Sequence, residues 1–198
     1  MKDFGIPTIV IGENPVPTAV NWDELLEASD RAGPANTVEH YLNPDDLCAL
    51  PYSSGTTGSQ KGVMLTHRNI ISNLRSSLFS VSEEMAGQVT TLGLMPFFHI
   101  YGITGICCAA LRTKGKVVVM GRFDLRCYLE TLIVHEVNFA PIVPAIILAM
   151  VKSPMVDEFD LSRLKLKSVL TAAAPLAPEL RAAFEEKFPG VIIQEVAN

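Results

Sequence analysis

Two periods alternate along the chain. Short runs rich in β-branched residues predict strands at Val89 to Met95, Lys116 to Met120, Val137 to Val143, Lys167 to Thr171 and Val191 to Val196. Between them, apolar residues recur at the helical period of about 3.6 residues. Thr66 caps a helix carrying Ile70, Leu74 and Leu78. Asp124 caps another with Leu125, Leu129, Leu132 and Ile133. Pro144 opens a third with Ile146, Ile147 and Met150. Pro178 starts a fourth, in which Leu180, Phe184 and Phe188 form a stripe that Pro189-Gly190 ends. Strands alternating with helices predict an α/β sandwich built on a mostly parallel sheet, with Lys116 to Met120 as a buried strand. Nearer the start, Trp22 to Ala28 reads as a short amphipathic helix. Asn21 is its N-cap, Asp23 and Glu24 suit its positive end, and Gly33-Pro34-Ala35-Asn36 stops it. Residues 29 to 46 read as a polar connection.

Composition adds three constraints. The 198 residues are 48% hydrophobic and 19% charged, which suits a globular domain. The net charge of −5 and the scattered lysines and arginines leave no footprint for nucleic acid. Cys48, Cys107, Cys108 and Cys127 lack metal-ligand spacing, and adjacent cysteines bridge each other poorly, so they read as reduced, mostly buried thiols. The Met1 to Gly5 start is no secretory signal, and with no compartment signal in view a cytoplasmic protein is expected. Met85 to Leu111 contains no Asp, Glu, Lys or Arg, and a membrane helix needs about 20 apolar residues. Pro96, His99, Tyr101 and glycines 87, 93, 102 and 105 interrupt the run, so it reads as strand, loop and buried helix rather than a span.

The candidate chemistry is densest from Ser53 to Gly62. Ser53, Ser54, Thr56 and Thr57 supply hydroxyls, Gly55, Gly58 and Gly62 let backbone N–H groups approach an anion, and Lys61 adds a cation. This is a cradle for nucleotide phosphates. It is not a Walker A loop, which needs Gly-Lys-Ser/Thr after four residues, because Gly62 follows Lys61. A flexible Ser/Gly linker shares the composition, but the neighbours Val63, Met64 and Leu65 argue for ordered structure.

The run Ser53-Ser54-Gly55-Thr56-Thr57-Gly58, then Lys61-Gly62-Val63, resembles the first ATP-binding box of the adenylate-forming (AMP-binding) superfamily. Its extension through Met64-Leu65-Thr66-His67-Arg68-Asn69 is most similar to the plant 4-coumarate–CoA ligases and their relatives. The resemblance implies a mostly parallel αβ sandwich, part of the large N-terminal adenylation domain. It also implies an ATP-dependent acid–thiol ligase of a phenylpropanoid type. Such an enzyme activates a small carboxylic acid as acyl-AMP and passes it to CoA, with ATP and Mg²⁺ as partners of the reaction. Ser53, Ser54, Gly55, Thr56, Thr57, Gly58 and Lys61 would then hold ATP.

Other residues acquire expected roles on the same ground. Pro96 to Gly102 places His99 and Tyr101 in an apolar surround, and on composition they read as a satisfied, buried histidine beside a core tyrosine. The resemblance instead makes His99 a gate at the acyl pocket and Tyr101 part of its wall. Hydroxycinnamate ligases often have serine where Gly105 stands, which implies a different acyl pocket here. Thr171-Ala172-Ala173-Ala174-Pro175-Leu176 is similar to the family's small-residue turn beneath adenine and acyl group. Ala172 replaces a glycine, which implies a shifted backbone path. Gln194 approaches the next box. Arg122 falls where a lysine often meets CoA phosphates, and it reads equally as a solvated surface arginine. No metal ligand is named.

The resemblance covers Ile6 to Gln194 but only the middle of a typical ligase. It implies a domain truncated at both ends, with an incomplete leading segment at 1–46 and a core at 47–198. The adenine-stacking tyrosine, the Thr-Glu pair for phosphate and Mg²⁺, and the mobile C-terminal domain would be absent. The chain alone would then be inactive, or a non-catalytic nucleotide-binding or interaction fragment. A complete relative could also be peroxisomal.

Overall fold

The computed structural model describes residues 8–11, 19–32, 42–53, 60–78, 86–172 and 174–196. The chain divides into two compact units, Met1–Leu42 and Asn43–Asn198. In the first, β1 (Thr8–Val10) pairs in parallel with β2 (Ala19–Asn21), which leads into α1 (Trp22–Ala32). The Asn21 side chain accepts the Asp23 N–H at 2.8 Å, as the sequence predicts for an N-cap. The helix runs past Ala28, so residues 29–32 are helical rather than connecting. Arg31 Nε donates to the Glu27 carbonyl and its guanidinium faces the Glu27 carboxylate, supporting this last turn. The expected stop at Gly33 to Asn36 lies outside the described residues.

The second unit is organised by a five-stranded parallel sheet. Its order is β11 (Ile192–Glu195), β10 (Ser168–Thr171), β9 (Phe139–Ile142), β7 (Thr90–Gly93) and β8 (Lys116–Val119). The five predicted strands all form, each shortened by one or two residues at one or both ends. The central strand contains Pro141, which has no N–H to give a ladder. Its pairing with β7 is confined to Thr91 opposite Phe139, so the ladder on that side stops before the proline.

Alternation along the strands sorts side chains onto two faces. Leu92, Ala140, Ile142, Val169 and Ile193 point into the main core. There they meet α4 (Leu125–Val134), α5 (Pro144–Lys152) and α6 (Pro178–Lys187) through Tyr128, Leu129, Leu132, Ile146, Ile147, Met150 and Phe184. Phe184 and Phe188 stack with ring centres 4.8 Å apart. The Asp124 carboxylate caps α4 by accepting the Cys127 N–H at 2.9 Å.

Three expectations about burial fail. Lys116 to Met120 is not a buried strand, because β8 is a sheet edge and Val119 stays 63% exposed. The cysteines are free but mostly not buried: Cys48, Cys107 and Cys127 are exposed and Cys108 is half-buried. Strand, loop and helix follow Met85 in the order read from sequence, but the helix is mostly not buried, and the glycines at 102 and 105 lie within it instead of interrupting it. They sit inside a π-helical segment, Gly102–Cys108, continuous with α3 (Ala109–Thr113). Only Gly102 and Ile106 of that segment are fully buried. Among the described residues no helix is long and apolar enough to cross a membrane.

Candidate functional site

The two ends of the Ser/Gly-rich loop are brought together by nested antiparallel pairs. β3 (Leu47–Ala49) pairs with β6 (Leu65–Thr66), and β4 (Tyr52–Ser53) with β5 (Lys61–Gly62). Ser53 lies opposite Lys61, and the Ser53 hydroxyl donates to the Lys61 carbonyl at 3.5 Å. Ser54, Gly55, Thr56, Thr57 and Gly58 lie outside the described residues. The stem runs directly into α2 (His67–Ser77), where Thr66 and Asn69 form a reciprocal capping box. Arg68 in the first turn grips Asp45 with two hydrogen bonds of 2.6 and 3.0 Å. The Arg68 hydrogen bond also holds the Asp45 carboxyl below the usual carboxylate range. Lys61 is exposed and has no carboxylate partner among the described residues. Its ammonium is therefore available to an anion.

The second sheet face borders a cavity of about 600 Å³. Its floor is the strand face opposite the core: Thr91, Phe139, Ser168, Leu170 and Gln194. Its other walls are α2, through Asn73, Leu74 and Ser77, and the π-helical segment with α3, through Tyr101, Thr104, Gly105 and Ala109. Three of the residues picked from sequence, Tyr101, Gly105 and Gln194, thus meet at one cavity. The Tyr101 phenol is pushed up to about 12 by burial, so near neutrality it is a hydrogen-bond donor and not a base. Sequence reading missed Leu74, Thr104 and Leu170. The signal for Leu170 was present in the alternation Ser168, Val169, Leu170, Thr171, which separates cavity from core.

The remaining residues hang from the ends of parallel strands, and hence from one edge of the sheet. His99 follows β7, Arg122 follows β8, and Ala172 and Ala174 follow β10. Ligand crevices in open α/β sheets lie outside this edge. His99 is exposed, not held in apolar surroundings, and does not line the cavity. Its Nδ1 accepts the Tyr101 N–H at 3.2 Å, so the ring caps the start of the helix that carries the tyrosine. Arg122 is exposed and makes no ion pair among the described residues. Ala172 does not adopt positive φ, so its backbone conformation is one that alanine takes without strain. Ala173 lies outside the described residues.

The turn after β10 is tied to β11 by Glu195. Its carboxylate accepts the Leu176 N–H and an Arg181 N–H, each at 3.1 Å. The Leu176 amide first, then Arg181, hold the Glu195 carboxyl below its ordinary range. The unfolded glutamate therefore takes up its proton at higher pH than the folded one. The clamp is complete above the ordinary glutamate range and is lost as pH falls through the lowered folded value. Acidification is expected to lower the protection factor of the Leu176 amide, its exchange rate being compared with that of an unstructured amide at the same pH. In Glu195→Gln that amide is expected to exchange fast already at neutral pH, and equal rates in both proteins would refute the clamp.

Residues 4–196 match the family of AMP-binding enzymes, and the chain belongs to that family. It is 65% identical to 4-coumarate–CoA ligase-like 1 of Arabidopsis thaliana, over 98% of this chain and 36% of that protein. It is 64% identical to 4-coumarate–CoA ligase-like 9 of Oryza sativa subsp. japonica, over 98% of this chain and 35% of that protein. The chain thus spans little more than a third of the length of these relatives. The fold is similar to that of the o-succinylbenzoate CoA synthetase of Bacillus subtilis in complex with its acyl-adenylate intermediate. That likeness has a TM-score of 0.67 at 25% identity, covering 87% of this chain and 34% of that one. The same enzyme in complex with ATP and magnesium ion gives a TM-score of 0.71 at 22% identity, covering 94% and 38%.

Proposed function

We propose that these residues form the phosphate loop and acyl cavity of an ATP-dependent acid–thiol ligase. The reaction activates a small-molecule carboxylic acid as acyl-AMP and transfers the acyl group to CoA. The observation that carries this reading is the convergence of Tyr101, Gly105 and Gln194, chosen from sequence, on one cavity of about 600 Å³. That volume is within the usual range for small-molecule sites. Residues 47–198 would hold both parts, with 1–46 a leading segment.

Within this reading, Ser53, Lys61 and the loop between them hold ATP through hydroxyls, backbone amides and the Lys61 ammonium. Mg²⁺ bound to the phosphates would neutralise charge on the leaving pyrophosphate, and no residue of this chain is assigned to it. Tyr101, Gly105 and Gln194 shape the acyl site, and Tyr101 donates a hydrogen bond from a protonated phenol. Ala172, Ala173 and Ala174 offer only methyl side chains to adenine or the acyl group. His99 gates the cavity indirectly, by fixing the start of the Tyr101 helix. Arg122 meets CoA phosphates, for which a planar guanidinium is suited.

The test is carboxylate-dependent exchange of labelled pyrophosphate into ATP, on the full-length product of the gene. Exchange is expected with at least one straight-chain or aromatic acid, and CoA should then yield a thioester. No exchange with any acid, while ATP·Mg²⁺ still binds by calorimetry, would favour a non-catalytic nucleotide-binding role.

A further inference from the structure

Gly105 is a glycine for reasons of space. Its φ is not positive, so its backbone conformation is open to any residue. A Cβ built there meets the Tyr101 ring, with Cε2 at 2.7 Å, Cζ at 2.8 Å and Cδ2 at 3.0 Å. All three nearest atoms belong to that ring, which lies flat across the missing side chain one helical turn away. Tyr101 and Gly105 share one continuous helix, so no movement of the helix as a body relieves that contact, and the backbone between them is held in place. At Gly102 a Cβ would fall 2.2 Å from the Pro96 carbonyl oxygen and 2.6 Å from Phe97 Cα, so backbone rests on backbone there. When bulk appears at 105, the ring must yield. It yields away from the helix surface, and at Gly105 that surface faces the cavity.

We propose that Gly105 sets the depth of the cavity by parking the Tyr101 ring against its own helix, so that any side chain at 105 drives the ring into the cavity and excludes longer acids. The inference rests on the cavity being the acyl site. It makes Gly105 a specificity-determining position that acts through Tyr101. The acids admitted by the glycine form are those reaching past the parked ring toward Leu74 and Leu170. In a serine or alanine form the displaced ring closes that path.

The experiment compares kcat/KM for pyrophosphate exchange across straight-chain monocarboxylic acids from butanoate to octadecanoate, using the full-length protein. One methylene in a fitted pocket is worth roughly 10-fold or more in discrimination. Gly105→Ala and Gly105→Ser are therefore expected to lower the ratio of longest to shortest accepted acid by about 10-fold or more. Tyr101→Ala introduced into Gly105→Ala is expected to restore that ratio, because it removes the displaced ring. A uniform loss over all acids, unrelieved by Tyr101→Ala, would mark a purely structural role and overturn the proposal. A crystal structure of Gly105→Ala reads the displacement without turnover, and a ring still parked over residue 105 would also overturn it. If wild-type protein exchanged with no acid while the crystal showed the ring displaced, the acyl reading would fail and the packing relation would stand.

Discussion

Gly102→Ala is expected to destabilise the protein by about 3 kcal/mol or more, near the upper end for overpacking a tight interior. The added Cβ would sit 2.2 Å from the Pro96 oxygen, 2.6 Å from Phe97 Cα and 2.9 Å from the Pro96 carbonyl carbon. None of these is the end of a movable side chain. Relief requires separating the helix from the loop that leads out of β7, and Gly102 is buried at that contact. The same loop is held at the sheet, where the Phe97 ring fills the space of a missing Cβ at Gly93. A retreat at Gly102 would therefore disturb the end of a core strand. The denaturation midpoint should fall, and the cavity wall carrying Tyr101 should loosen with it. Gly121→Ala is the matched control, since nothing lies within 4 Å of its Cβ and its φ is not positive. Its effect should stay within about 0.5 kcal/mol. Equal stability of the two variants would show that the helix does not rest on Pro96 and Phe97.

Lys61→Ala is expected to lower kcat/KM for the ATP-dependent half-reaction by about 10²- to 10³-fold, the usual consequence of deleting one preorganised group aimed at developing charge. The side chain projects from a paired strand directly after the Ser/Gly-rich loop, so its backbone is fixed. It has no competing carboxylate among the described residues. A compact ammonium with three rotatable donors is its contribution, so Lys61→Arg should recover only part of the loss: the planar guanidinium cannot occupy the same position. Calorimetry with ATP·Mg²⁺ gives the independent reading. An unchanged dissociation constant and unchanged exchange in Lys61→Ala would remove the loop from the phosphate site.

What could be read from sequence was local. The periods and caps placed α4, α5 and α6, because Asp124, Pro144 and Pro178 act on their own first turns and stripes such as Ile146, Ile147 and Met150 define one face. The chemistry of Tyr101, Gly105 and Gln194 came through a motif and proved to share a cavity. What was misread depended on neighbours distant in the chain. β8 has the composition of a buried strand, yet strand order leaves it at an edge, and order is not written in any one segment. Gly102 and Gly105 look like breakers until Pro96, Phe97 and the Tyr101 ring are in place. His99 was expected among apolar groups and instead turns its ring to the backbone of the next helix. The Glu195 clamp joins residues 14 and 19 positions apart, and no periodicity announces it.

The strict alternation along β10 has a consequence for how such a protein can change over generations. Val169 answers to the packed interior, while its immediate neighbours Ser168 and Leu170 answer only to whatever occupies the opposite side. Selection can rewrite the taste of the pocket one letter at a time without renegotiating the scaffold. Diversification of ligand preference on a constant frame needs no more than every second residue of a few strands.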